Sequence, residues 1–192
     1  MNTNYLYLLL FFFLVACEQE EETMVVCEES PMMNPLESCC ETEALEGTIG
    51  GFSFYLANVF TPDFDGVNDL FYVQAKPEDI PTVKAIRIRN ASDSLVFEQF
   101  EIPPNDLGFA WDGSVGGLIL RGVYSYEVDL ELTTGETGTF TGEVCALPCF
   151  GADTTIAVFE SFPQCFTPSQ YNGEGGLEPT LPSNEEWPCL EF

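Results

Sequence analysis

Polar and apolar positions alternate most cleanly late in the middle of the chain. Tyr124, Tyr126, Val128, Leu130 and Leu132 interleave with Ser125, Glu127, Asp129 and Glu131. Five apolar positions against four polar ones at period two predict a strand with one buried face. Thr133-Thr134-Gly135-Glu136 turns that strand back into 137–146, where Phe140, Gly142 and Val144 continue the pattern. Upstream, 82–90 reads as a strand with Lys84, Ile86 and Ile88 on one face and Val83, Ala85, Arg87 and Arg89 on the other. Ala91-Ser92-Asp93 turns it into 94–100, completing a hairpin. The apolar run 52–60 predicts a first strand, 70–74 a second, and 77–81 a loop. Pro103-Pro104-Asn105-Asp106 breaks the chain before Trp111-Asp112-Gly113, where the Trp is expected to plug a core and Asp-Gly to make a turn. Short strands, frequent turns and no helical period predict an all-β fold, an antiparallel β-sandwich over 51–150 with irregular flanking segments.

Between the first two predicted strands lies Asp63-Phe64-Asp65-Gly66-Val67-Asn68-Asp69. Asp63, Asp65, Asn68 and Asp69 gather hard oxygen donors around a glycine that permits a sharp turn. That suits calcium, which takes six to eight such oxygens, although the spacing is not that of an EF-hand. The same residues also suit a network of Asx turns, in which the side chains bond neighbouring backbone amides. Both readings make the loop a rigid corner.

Charge separates the middle of the chain from its ends. The chain has 5 Lys and Arg against 32 Asp and Glu, a net charge of −27. Residues 18–50 hold ten Glu and no basic residue, and 151–192 hold seven acidic residues and no basic one. All five basic residues fall in 51–150, where a packed domain is predicted. The flanks therefore read as an acidic, Cys-containing tether (17–50) and an acidic, Cys-containing tail (151–192). Nucleic acid would be repelled and is excluded as a partner. There is no His, which removes Ser-His-Asp and Cys-His mechanisms. The expectation is a protein that is not an enzyme and has no catalytic residues. A carboxylate-based hydrolase acting on glycans is a weaker alternative.

Residues 5–16 are twelve apolar residues without interruption, too short to cross a bilayer and of signal-peptide length. They end at Leu14-Val15-Ala16-Cys17, which resembles the lipobox of bacterial lipoproteins. That resemblance implies a signal peptide over 1–16 and a lipid on Cys17, so that the membrane is a partner through the N-terminal acyl chains. The other reading is an ordinary secretory signal. Glu18-Gln19-Glu20-Glu21-Glu22 directly behind Cys17 resembles the acidic export tags of surface lipoproteins, and equally suits an extended tether. The remaining cysteines, Cys27, Cys39, Cys40, Cys145, Cys149, Cys165 and Cys189, are disulfide candidates. None lies between 41 and 144, so bridges are expected to staple tether and tail to a core that folds without them.

Several ordered motifs resemble one family. Phe60-Thr61-Pro62, Asp65-Gly66-Val67-Asn68-Asp69, Ile86-Arg87-Ile88-Arg89-Asn90, Leu95-Val96-Phe97-Glu98, Trp111-Asp112-Gly113 and Gly122-Val123-Tyr124-Ser125-Tyr126 are similar to the gliding-motility-associated C-terminal domain. This is the type B sorting domain of the type IX secretion system. The resemblance covers about 57–146 and implies an immunoglobulin-like sandwich on a protein exported across the outer membrane. Asn90-Ala91-Ser92-Asp93 stands where the family has an Asn-Arg-Trp-Gly turn, and residues follow 146 where the family domain normally closes the chain. The expected function is a lipid-anchored, surface-exposed outer-membrane lipoprotein that presents this domain for adhesion, or for docking to a surface or secretion-machinery protein. The alternative is type IX cargo whose central domain is the sorting module.

Overall fold

The computed structural model describes residues 42–148 and 164–184. Ten strands run in chain order: β1 (Leu45–Ile49), β2 (Phe52–Leu56), β3 (Val59–Phe60), β4 (Gln74–Ala75), β5 (Thr82–Arg89), β6 (Leu95–Ile102), β7 (Ser114–Val115), β8 (Leu118–Ile119), β9 (Gly122–Glu131) and β10 (Thr137–Ala146). The only helical pieces among the described residues are two short 3₁₀ turns, Leu107–Phe109 and Pro168–Gln170. A three-stranded sheet, β1-β2-β4, faces a five-stranded sheet ordered β3-β10-β9-β5-β6. All pairings are antiparallel except β3 with β10. This is the all-β sandwich that the alternation predicts.

The core lies between the two sheets and is filled from their inner faces. Phe54 and Leu56 from the small sheet meet Tyr126, Val128, Leu130 and Val144 from the large one in a single cluster. Phe54 packs edge-on to Phe140 with ring centroids 4.5 Å apart. Trp111 is 1% exposed and plugs one end, against Phe60, Phe97 and Tyr124. Its indole N–H donates to the Ser114 carbonyl, and Asp112 accepts from the Ser114 amide to make the following turn. Side chains of this size stabilise by about 1.5–3 kcal/mol each when fully buried, so the aromatic cluster is a principal source of stability.

Four expectations are corrected. The run 52–60 is not one strand: the chain leaves the small sheet after Leu56 and enters the large sheet at Val59. Buried Asn58 lies at the crossing, where its side chain bonds backbone outside both sheets. The expected strand 70–74 is reduced to a Phe71–Trp111 bridge and the two-residue β4, with Asn105 bonding both the N–H and the C=O of Ala75. On β5 the faces are not those of strict alternation. The register against β9 slips between Val83 and Ala85, so Lys84 turns outward while Val83, Ala85, Ile86 and Ile88 are all buried. A bulge of this kind gives one strand an extra residue, which period-two counting cannot foresee. The sandwich also takes in β1, whose residues were read as tether: all five pair in register with β2.

Candidate functional site

The acidic loop follows β3 and is closed by the Thr61 amide donating to the Asn68 carbonyl at 2.9 Å. Asp69 organises it. One of its carboxylate oxygens accepts from the amides of Asp63 (3.0 Å) and Phe64 (2.6 Å), and the other from Gly66 (2.8 Å). Asp63 accepts from the Asp65 amide and Asp65 from the Val67 amide. These are the Asx turns that the residue types allow, with Gly66 in the left-handed region at φ 93°.

Asp63, Asp65 and Asp69 each bring an oxygen to within 4.8 Å of the others. Burial pushes the Asp63 carboxyl up to about 6, and the neighbouring Asp65 and Asp69 charges add to the rise. Like charges crowded in this way suit a divalent cation, and these three residues would hold one. They supply fewer ligands than the six to eight oxygens of a calcium site. Asn68 does not join them. Its amide turns away, donating to the Ser183 carbonyl (2.7 Å) and accepting from the Ser169 amide (3.0 Å).

That second destination is the structural feature the sequence concealed. Residues 164–184 lie along the outer face of the small sheet and along the pole where β2 crosses to β3. Asn58, fully buried, is the hub of that pole. Its side-chain amide donates to the Thr42 carbonyl (2.7 Å) and the Gln164 carbonyl (2.8 Å), and accepts from the Phe166 amide (2.7 Å). Its backbone N–H donates to the Phe166 carbonyl, while its own carbonyl accepts from Cys145 at the end of β10. One side chain therefore ties together the segment preceding β1, the sandwich and the returning tail. Farther along, the Tyr55 hydroxyl donates to the Thr167 carbonyl (3.0 Å) and Gln74 donates to the Pro168 carbonyl (2.9 Å). Tyr55 is fully buried, and burial raises its phenol well above the usual range. An Asn in an apolar run and a Tyr in a strand carry no sequence signal for such roles. Only the distant partners give them meaning.

Cys145 and Cys165 are buried and disulfide-bonded. Cys17, Cys27, Cys39, Cys40, Cys149 and Cys189 lie outside the described residues, as do the lipidation site and most of the tether.

The outer face of the five-stranded sheet carries the main ionic cluster. The Arg87 guanidinium contacts Glu98 (3.2 Å), Glu127 (2.9 Å) and Asp129 (3.0 Å), and lies over the Phe100 ring. A hydrogen bond from Thr139, followed by Arg87, holds the Asp129 carboxyl below its usual range. A carboxylate held in its charged form is a poor proton donor at neutral pH.

No curated protein and no solved structure matches the chain. Residues 54–145, from within β2 to the penultimate residue of β10, match the family model described as CHU_C Type IX secretion signal domain.

Proposed function

We propose that this is a non-enzymatic lipoprotein of the outer membrane or cell surface, anchored through Cys17, that presents its type IX secretion signal domain for adhesion or for docking to surface or secretion machinery. The observation that carries this reading is the returning tail. The family match ends at residue 145, yet residues 164–184 pack back onto the domain through Asn58, Tyr55 and Gln74. A module held in this way is part of a larger folded unit rather than a free end. The disulfide-bonded state of Cys145 and Cys165 fits an oxidising compartment outside the cytoplasm.

Mass spectrometry of the N-terminal peptide, combined with protease shaving of intact cells, tests the anchor and the exposed face together. A triacylated Cys17 peptide and cleavage from outside are expected, and Cys17→Ser should release the protein into the soluble fraction. An unmodified Cys17 in the mature chain would sink the proposal.

The family match itself favours a second reading, type IX cargo sorted by this domain. Disabling the type IX system separates the two. Cargo would be trapped in the periplasm, whereas a lipoprotein exported by its own route would still reach the outer membrane.

A further inference from the structure

We infer that the outer face of the β1-β2-β4 sheet is a peptide-acceptor site that grips its guest by the main chain. Residues 167–184 fill it in cis, and it can take a turn peptide of the same chemistry presented by a partner protein. Tyr55 donates to the carbonyl of Thr167, Gln74 to that of Pro168 and Asn68 to that of Ser183; Asn68 also accepts from the amide of Ser169, and Glu46 accepts from that of Leu177 at 2.7 Å. Each of these bonds runs from a side chain of the host to a backbone atom of the guest. Recognition through the backbone tolerates many guest sequences, as when a peptide is added to a sheet.

The guest, for its part, is largely organised by its own side chains. Gln170 accepts from the Thr167 amide and donates to the Leu181 carbonyl. Asn172 accepts from the amides of Glu174 and Gly176, and Tyr171 bridges to Leu177 across that turn. A guest that carries its own turn bonds can dock as a preformed unit, which lowers the ordering cost of binding. The exception is an exposed ion pair between Lys76 and Glu174.

One position is read by shape. Gly175 has φ +99°, and a Cβ there would run into the Ser53 carbonyl. The site therefore requires a glycine at the tip of the turn.

The fit is close without being complete. In the host, Gln74 Oε1 is a buried side-chain polar atom without a hydrogen-bond partner, and it lies at this contact. Buried polar atoms are seldom left this way in a finished core. A competing guest that donated a hydrogen bond to Gln74 Oε1 would have an advantage over the resident segment. Within that face, Tyr55 and Gln74 belong to the family match, whereas β1 precedes it and the segment lies beyond it. Residues 164–166, held by Asn58 and by the disulfide-bonded Cys165, are the fixed end from which the segment can lift.

The test uses the full chain and a fluorescein-labelled synthetic peptide with the sequence of residues 167–184. In the wild-type protein the tethered segment competes at an effective concentration of about a millimolar. Gly175→Ala should unseat it, exposing the Ser169 and Leu177 amides to hydrogen exchange while the sandwich amides stay protected. That variant should then bind the peptide at least about tenfold more tightly than the wild type, because the tethered competitor has been removed. A peptide that itself carries Gly175→Ala should bind at least about tenfold more weakly, the loss expected for an unfit turn. Glu46→Ala, at an exposed host position, should give an intermediate gain and serves as the second variant if Gly175→Ala does not accumulate. Three outcomes overturn the inference: a segment that stays protected in both variants, an unseated segment whose face takes up no peptide, or equal binding by wild type and variants.

Discussion

In the three-stranded sheet, β2 and β4 are covered on both faces, by two different chemistries. On its inner face Phe54, Leu56 and Ala75 meet the large sheet through apolar contact. On its outer face Tyr55 and Gln74, which pair across β2 and β4, meet the tail through directed hydrogen bonds. Apolar burial is non-directional and tolerates small shifts, so many side chains share it. Polar burial depends on a few atoms in the right place, and a missing partner costs the desolvation of the group left behind. The inner face should therefore set the stability of the domain, and the outer face should decide whether the tail stays in place.

The inner face is where the largest effect is expected. Trp111→Ala removes the largest fully buried side chain among the described residues and should cost about 4 kcal/mol, read by chemical denaturation as one cooperative shift of the whole domain. A loss below about 1 kcal/mol would mean that the Trp is not a core plug. At the polar pole, Asn58→Ala strands the Thr42 and Gln164 carbonyls and the Phe166 amide, at a cost of about 3 kcal/mol. Hydrogen exchange should show that loss concentrated around residues 164–167, with the β9–β10 amides least affected. On the outer face, Tyr55→Phe deletes only the bond to Thr167 and should cost about 1 kcal/mol, seen as faster exchange in the tail with an unchanged sandwich.

The smallest expected effect is electrostatic and belongs to the acidic loop. The folded-state Asp63 value of about 6 lies above the ordinary 3.8, so the folded protein holds that proton more tightly than the unfolded chain does. Its contribution to stability is fully present below about 3.8 and is lost as the pH climbs through about 6. Denaturation midpoints should accordingly show a downward step across that window, absent in Asp63→Asn. Titrating the Asp63 carboxyl by NMR at millimolar calcium sharpens the contrast. A bound ion would pull the titration down, and an unmoved titration leaves the loop as a turn network alone.

What could be read in advance follows the same division. The alternation from Tyr124 to Leu132 predicted a buried face, and all five apolar residues are buried. The Trp111-Asp112-Gly113 motif predicted a plug followed by a turn, and both are present. In the acidic loop, Asp63, Asp65 and Asp69 come together, while Asn68 serves the tail. Lys84 was assigned to the wrong face because a bulge adds one residue to β5, and bulges leave no periodic trace. Residues 45–49 read as tether because Leu45 and Ile49 flank Glu46, Gly47 and Thr48, and that short, mixed stretch becomes a strand only where β2 offers it an edge.

From its sequence alone this chain is committed to a sandwich, because period-two alternation can bury one face of a strand only by stacking sheets, and the turn residues limit where the strands end. Tertiary structure alone settled where the small sheet begins, which strand crosses between sheets, and that the tail returns to cover the outer face. Those outcomes depend on Asn58, Tyr55, Gln74 and Asn68 finding backbone partners about 16 to 115 residues away in the chain, and a hydrogen bond over that separation has no local pattern to announce it.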